Sequence, residues 1–399
     1  MSQYLKSILD QQATSVAFKP ADLEIITRTG NRRIRQRRVA VLAGLAVVVL
    51  AAATAILVGG PDKQSPPVGS NVWPAGTVSW AAGTKIYSGI DVIDVGRVVR
   101  AYVRTAVGFA FIDDTDDVYS VTESGVTRIG HLTATLPNNT DQQRLVSDPL
   151  GTLVGWVGED PPGSLTLVVH DQANGRTRTY PYPGGPSGEG VLFFAIDYRT
   201  AYWKTPGGVY AVNVDTGREQ LVTPGPAYDF EVYSVAGGLM AFSPNADGTI
   251  LVGRAVHVAR TLRDFSGDGM TGMADPVRLS PASDWLSLGV VQIEGTTEAD
   301  MRVAKITAEV YDTDTGERVA LRVPGNPELT KPDVWLDYRT LVVFGATGDP
   351  NRHPEEMGLY TCTLPEGSCS LAAMLRPEDF DGNTPFVSPD GRWYGPPPP

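Results

Sequence analysis

The chain has 399 residues, a formal net charge of −12 at pH 7 and 42% hydrophobic residues, enough for at least one large folded domain. The first 38 residues hold eight basic and three acidic side chains, which leaves 25 basic and 42 acidic ones, a net −17, in the rest. A domain that acidic is poorly suited to binding phosphates, so we expect no nucleic-acid partner.

Residues 1–38 form a basic segment that we interpret as a short cytoplasmic tail. Two short stretches with helical spacing are separated by Lys19 and Pro20, and neither is long enough to be a stable helix alone. We expect the tail to become ordered only at the membrane or on a cytoplasmic partner. The arginines next to the following apolar stretch favour contact with anionic lipids. They are Arg28, Arg32, Arg33, Arg35, Arg37 and Arg38.

Residues 39–58 form an uncharged apolar stretch that begins at Val39 and ends at Val58. At about 1.5 Å per residue, a helix of this length spans roughly the 30 Å hydrocarbon core of a bilayer. The basic flank predicts a single-pass protein of the cell membrane, with a cytoplasmic N-terminus and an extracytoplasmic C-terminal domain. A cleaved signal peptide is the alternative, since Ala53 and Ala55 supply a small-x-small site, but the apolar run and the segment before it are longer than such a peptide needs.

Residues 59–70 have the glycine and proline content of a linker, and residues 396–399 are a proline tail. Between them, residues 71–395 consist of short runs rich in Val, Tyr, Thr and Trp that are broken by Gly, Pro and Asp. This texture predicts an all-β domain.

Hairpin-like segments recur along that domain, each with a glycine in its turn. The turn glycines are Gly125, Gly175, Gly217, Gly316 and Gly367. One interval is about twice the others, which predicts a degenerate hairpin near residue 267, and counting back one period predicts another near residues 74–76. Asp197-Tyr198-Arg199-Thr200 also recurs as Asp337-Tyr338-Arg339-Thr340. Such repeats predict a β-propeller of about seven four-stranded blades.

The C-terminal strands of the domain have no hairpin of their own to follow. Residues 386–388 and 392–394 flank the turn Pro389-Asp390-Gly391. We expect these strands to complete the blade that begins at residue 71, which would close the ring of blades.

Two short motifs carry a resemblance to known propellers. Ser388-Pro389-Asp390-Gly391, and more loosely Ser243-Pro244-Asn245-Ala246-Asp247-Gly248, resemble the S-P-D-G turn of TolB-type and other WD-repeat-like propellers. The order of basic tail, single span and propeller is similar to that of uncharacterised actinobacterial membrane proteins. The resemblance implies a fold and leaves the ligand open.

Residues 264–275 resemble the calcium loop of FG-GAP-type propellers. The ligands that the resemblance implies are Asp264, Ser266, Asp268, the backbone carbonyl of Met270, and Asp275. Gly272 stands where that family places another Asp, so an acidic surface turn is the alternative. Calcium is the one cofactor that the sequence suggests.

The two cysteines, Cys362 and Cys369, lie on either side of the four residues Leu-Pro-Glu-Gly, each separated from them by one residue. If these four form a hairpin loop, the thiols face each other across the strands, so we expect a disulfide, which would persist outside the cell. The histidines lack a paired ligand spacing, and the run from Asp113 to Asp117 is typical of a solvated turn.

The sequence therefore favours a propeller that binds or senses a protein or another envelope ligand without catalysis. One variant couples it to the cytoplasmic tail, as in an anti-sigma-like sensor. The enzyme alternative is a hydrolase or lyase that uses carboxylates at the propeller mouth, with Asp113 and Asp229 as candidates.

Overall fold

The computed structural model describes residues 76–132, 144–159, 165–181, 193–205, 208–224, 230–244, 251–254, 273–294, 302–348, 356–375 and 386–391. All regular structure in these segments is β-strand. None of them contains a helix with the length and apolar character needed to cross a bilayer. The predicted span at residues 39–58, the tail and the linker lie outside the described residues.

The strands fall into seven consecutive groups, each an antiparallel meander. Group 1 contains β1 (Ser79–Ala82), β2 (Lys85–Ser88) and β3 (Asp91–Asp94). Group 2 contains β4 (Ala101–Thr105), β5 (Gly108–Ile112), β6 (Asp117–Thr122) and β7 (Gly125–His131). Group 3 contains β8 (Leu145–Ser147), β9 (Leu153–Glu159), β10 (Leu165–Asp171) and β11 (Arg176–Pro181). Group 4 contains β12 (Phe193–Asp197), β13 (Thr200–Thr205), β14 (Gly208–Asn213) and β15 (Glu219–Pro224).

The remaining groups follow the same order. Group 5 contains β16 (Phe230–Ala236), β17 (Leu239–Pro244) and β18 (Leu251–Arg254). Group 6 contains β19 (Met273–Leu279), β20 (Trp285–Glu294), β21 (Arg302–Asp312) and β22 (Arg318–Val319). Group 7 contains β23 (Leu329–Trp335), β24 (Thr340–Thr347), β25 (Glu356–Thr363) and β26 (Ser368–Leu375). A single parallel pairing of Ile306 with Leu329 joins groups 6 and 7 into one sheet.

The hairpin glycines predicted from the sequence mark the turn between the third and fourth strands of five groups. Gly125, Gly175, Gly217, Gly316 and Gly367 all have positive φ angles, a conformation that glycine adopts without steric cost. The repeated Asp-Tyr-Arg-Thr motif falls in the turn between the first two strands of groups 4 and 7.

The two hairpins that the spacing predicts near residue 267 and near residues 74–76 fall largely outside the described residues, and the described strands beside them pair as follows. β19, which follows residue 267, pairs with the next strand, β20, and so is the first strand of group 6. The first hairpins of the domain turn at Gly83 and Gly89, after residues 74–76. The strands of group 1, with only four residues each, carry too little periodicity to locate its turns.

Hydrophobic clusters separate the groups in chain order. Tyr102 and Phe109 pack between groups 1 and 2, and Trp156 between groups 2 and 3. Further clusters lie between each later pair of groups up to groups 6 and 7. A seventh cluster packs Val334 and Leu359 of group 7 against Val78 beside group 1. The core is therefore divided among the interfaces between neighbouring sheets, as in propeller blades.

The C-terminal segment, defined here as residues 386–391, lies where groups 7, 1 and 2 meet. Ala81 and Val387 exchange backbone hydrogen bonds of 2.9 and 2.8 Å, and the ring of Phe386 stacks on Phe344 with centroids 5.4 Å apart. The amide of Gly391 donates to the Tyr102 carbonyl (2.9 Å). A Cβ on Gly391 would lie 1.9 Å from the Leu145 carbonyl oxygen, so this turn requires a residue without a side chain.

The predicted closure of the ring through a shared four-stranded blade is not present. Among the described residues, the segment joins group 1 by a single isolated bridge and no strand ladder connects the two ends. Pro389 cannot donate to a ladder, and Asp390 bridges instead to Val103 of group 2, so the segment leaves β1 after one pair.

Candidate functional site: a central cavity and the turns around it

The first strands of groups 2 to 7 end around a common cavity of about 100 Å³. The residues that line it include Arg104, Ser147, Asp197, Ser234, Arg278, Trp335 and, from the C-terminal segment, Pro389. This volume holds a few water molecules and is well below the roughly 300–1,000 Å³ of typical small-molecule sites. The cavity itself is therefore too small to bind a drug-sized substrate.

Two aspartates at the cavity tie the turns of neighbouring groups together. Asp148 accepts hydrogen bonds from the amides of Leu150 (2.9 Å) and, in the next group, Tyr198 (3.1 Å). Asp197 likewise accepts from the amide of Gly238 in the following group (3.2 Å). Burial raises the pKa of both carboxyls, and these backbone donors oppose that rise. Because both carboxyls accept hydrogen bonds from backbone amides, we interpret Asp148 and Asp197 as structural residues.

Three large apolar or aromatic side chains are exposed at the cavity end of the domain, and we call them the turn face. Tyr198 and Tyr338 follow the first strands of groups 4 and 7 and are 56% and 47% exposed. Ile90 is 98% exposed in the β2–β3 turn, whose Gly89 amide donates to the Val78 carbonyl. The backbone carbonyl of Thr77, the residue before Val78, accepts a hydrogen bond from the side chain of Arg104, which lines the cavity. Exposed tyrosine is typical of surfaces that bind other proteins.

Below the cavity, a buried polar cluster lies between β23, β19 and the C-terminal segment. Asp333 is 6% exposed, and Ser388 is its side-chain hydrogen-bond partner. Arg278 forms an ion pair of 3.7 Å with Asp390. Burial, and secondly the charge of Asp390, raise the pKa of Asp333 to about 6. Among the described residues, neither Asp333 Oδ2 nor Arg278 Nε has a hydrogen-bond partner.

The candidate calcium ligands are not brought together by anything the structure describes. Asp264, Ser266, Asp268 and Met270 lie outside the described residues, and only the backbone of Asp275, within β19, falls inside them. In the described segments, no group of three or more His, Cys, Asp or Glu residues could hold a metal ion. Calcium binding stays a prediction.

The acidic run predicted as a solvated turn contains one buried member. Asp113 is 0% exposed and accepts hydrogen bonds from the amides of Thr115 (2.9 Å) and Asp117 (3.0 Å). Its other oxygen pairs with Arg97 at 3.2 Å. Asp113 therefore holds its own turn instead of facing a substrate. Asp229, the other candidate acid, lies outside the described residues.

Cys362 and Cys369 form a disulfide, with their Cα atoms 4.0 Å apart in facing positions of β25 and β26. The four residues between Thr363 and Ser368 make the hairpin loop that the sequence indicates. Cys362 is buried in the same hydrophobic cluster as Trp335 and Leu341, so the disulfide stabilises group 7.

The cavity residues are those that sequence reasoning missed. The repeated Asp-Tyr-Arg-Thr motif was one available signal, because both copies end a cavity-lining strand. The polar cluster has no such signal: its members lie at positions 278, 333, 388 and 390, and only the fold brings them together.

Comparison with known proteins shows similarity of fold only. No protein-family model and no curated protein matches the sequence. Similar solved structures include TolB from Acinetobacter baumannii (12% identity, 68% of this chain and 63% of that chain, TM-score 0.35). They also include the WD40 repeats of RRP9 (12% identity, 69% of this chain and 80% of that chain, TM-score 0.42). A prolyl endopeptidase is similar as well (13% identity, 72% of this chain and 44% of that chain, TM-score 0.47). The chain spans less than two thirds of the TolB and endopeptidase chains. The propeller-like architecture is inferred from the strand groups of the chain itself.

Proposed function

We propose that residues 71–395 are a seven-bladed, extracytoplasmic β-propeller that is tethered by the span at residues 39–58 and binds a protein or another envelope ligand without catalysis. The seven strand groups, with a hydrophobic cluster between each consecutive pair, support the blade count. The basic residues before an uncharged stretch of twenty support the anchor and its orientation.

The turn face is the observation that carries the binding role. Tyr198 and Tyr338 occupy equivalent turns of groups 4 and 7, on either side of a cavity too small for a substrate. A ligand would therefore cover the turns from outside. Two tyrosines and Ile90 supply amphipathic and apolar surface of the kind that forms the centre of protein interfaces.

The test uses a photoreactive amino acid placed singly at positions 198 and 338 in intact cells. Both positions are expected to crosslink the same partner. Position 371 is the matched control, because Leu371 is as exposed as Tyr338 (47% each) but lies on the outer strand β26. Equal crosslinking at 371, or none at 198 and 338, would count against the turn face.

The hydrolase or lyase alternative has less support. Asp333 and Asp390 are two neighbouring carboxyls near the cavity, but they are only 6% and 5% exposed. Acid–base catalysis requires a carboxyl within hydrogen-bond reach of substrate. Because the cavity is small and both side chains are buried, the pair is better placed to affect folding than to meet a substrate.

The tail adds a second part to the proposal. A basic segment inside the membrane and a folded domain outside suit a protein that reports ligand binding to a cytoplasmic partner, as an anti-sigma-like sensor does. Removal of residues 1–27 is expected to leave crosslinking at position 198 intact and to abolish only cytoplasmic contacts.

A further inference from the structure

The C-terminal segment is the contact through which the two ends of the domain meet. It pairs with β1 through Val387, with β4 through Asp390 and Gly391, and packs on group 7 through Phe386. We call the contacts of this segment with β1, β4 and β23 the seam. Local opening of the seam would free the edges of groups 1 and 7 without unfolding the other groups.

The most buried part of the seam brings two carboxyl groups close together, with cations beside them. Asp333 on β23 faces Ser388 and Asp390 of the segment, and Arg278 of β19 already pairs with Asp390. Lys331 on the same strand is the other cation near Asp333. On β4, Tyr102 interacts electrostatically with Asp333, Asp390 and Arg104.

Protonation decides whether this arrangement is stable. A protonated Asp333 places a neutral group opposite Asp390 and can donate a hydrogen bond. An ionised Asp333 puts two buried carboxylates side by side, where Arg278 is already paired with Asp390 and Lys331 is only partly buried. One oxygen of Asp333 has no hydrogen-bond partner, so ionisation would leave a buried charge only partly solvated.

We propose that the seam is a pH-sensitive latch, which is closed while the Asp333 carboxyl is protonated and opens more often when that carboxyl ionises. An extracytoplasmic domain would then loosen its C-terminal contact as the medium changes from mildly acidic to neutral. The inference does not depend on the ligand of the turn face.

The direction of the pH effect follows from proton linkage. The folded-state pKa of Asp333, about 6, lies above the value of 3.8 for a free carboxyl. The closed form therefore binds the proton more tightly than the open form, and closure is favoured at low pH and lost as pH rises through this window. For these two values, opening should increase roughly tenfold between about pH 5 and about pH 7.5.

Hydrogen exchange of the full-length protein in detergent tests the latch. The amides of Ala81 and Val387, which bond each other's carbonyls, report on the seam. After correction for intrinsic exchange, their protection is expected to fall roughly tenfold from about pH 5 to about pH 7.5. Asp333→Asn should abolish this dependence, and Asp390→Asn should move its midpoint to lower pH. Glu123→Gln, in the exposed β6–β7 turn, should behave as wild type.

Two results would overturn the proposal. One is wild-type protection at Ala81 and Val387 that does not change over this pH range, a measurement that holds even if Asp333→Asn fails to fold. The other is an Asp333→Asn protein that folds and keeps the wild-type pH dependence.

Discussion

At the scale of single residues, several carboxylates of this acidic domain bind its own backbone. Asp113, Asp148 and Asp312 each accept hydrogen bonds from amides in nearby turns. Aspartate suits this role because its short side chain reaches amides two or three residues ahead. The many acidic residues of the domain therefore do not by themselves indicate a ligand site, because aspartates such as these hold the turns. Sequence alone could not show which aspartates were buried, since Asp113 and Asp114 have the same local pattern.

Arg199 provides a residue-scale prediction. It pairs with Asp171 at 2.9 Å and with Asp215, joining the turns of groups 3 and 4. Its side chain is 24% exposed and that of Asp171 only 8%. Arg199→Ala would leave Asp171 buried without its cation, so we expect unfolding free energy at neutral pH to fall by about 1–2 kcal/mol, less than for a fully buried pair.

Denaturant unfolding at two pH values measures this effect. Burial raises the pKa of Asp171, but hydrogen bonds from Thr152 and Arg199 outweigh it and lower the pKa overall. The stabilisation is therefore present above the ordinary carboxyl pKa and lost as pH falls. Arg318→Ala is the control, because Arg318 pairs with Glu309 but is 61% exposed, and it should cost under about 1 kcal/mol. Equal losses in both variants would contradict the buried-pair account.

At the scale of elements, the hairpin of the third and fourth strands was the part that could be predicted, in five of the seven groups. Their turns need glycine, and Gly125, Gly175 and Gly217 supply a regular signal. The first two strands are buried on both faces, as in β4 and β5, and so lack the alternation by which strands are recognised. The sequence did indicate that the C-terminal strands meet the first group, but two isolated bridges leave no periodic pattern from which their exact partners could be predicted.

Two of these glycines give an element-scale prediction. Gly175 and Gly367 have nearly the same φ, 69° and 66°. A Cβ at Gly175 would meet nothing within 4 Å, whereas one at Gly367 would lie 2.2 Å from the Ala320 carbonyl oxygen. Gly175→Ala should therefore lower the free energy of unfolding by about 1 kcal/mol, because alanine is strained in the left-handed conformation. Gly367→Ala should lower it by about 2–4 kcal/mol, because the added Cβ also clashes with the Ala320 carbonyl.

The pair of variants isolates close packing from backbone conformation, since only packing differs between the sites. Thermal unfolding of both variants and the wild-type protein under the same conditions measures the two losses of stability. Similar destabilisation in the two variants would show that the hairpin of group 7 does not press against the segment around Ala320.

At the scale of the whole molecule, the chain combines a basic start, an uncharged stretch and an acidic domain. We predict that residues 59–399 face outward. Protease added to intact spheroplasts should remove the domain and leave a short fragment that carries the N-terminus. An epitope tag at each terminus lets immunoblotting follow the N-terminal fragment and the C-terminal domain separately. Lysed cells provide the control for protease activity. Full protection of the C-terminal tag in intact spheroplasts would exclude this orientation.

The proposed propeller depends most on the packing of its C-terminal segment between the last and first strand groups. Thermal unfolding of the complete protein should be compared with a chain that ends at residue 384, and with a control that lacks only residues 396–399. Loss of the segment exposes Val78 and Tyr102 and removes the bridge between Ala81 and Val387, so we predict that the shorter chain loses its cooperative transition and aggregates, while the control unfolds as the complete protein does. An unchanged transition in the chain ending at 384 would show that the strand groups form an open array, in which each repeat depends only on its neighbours.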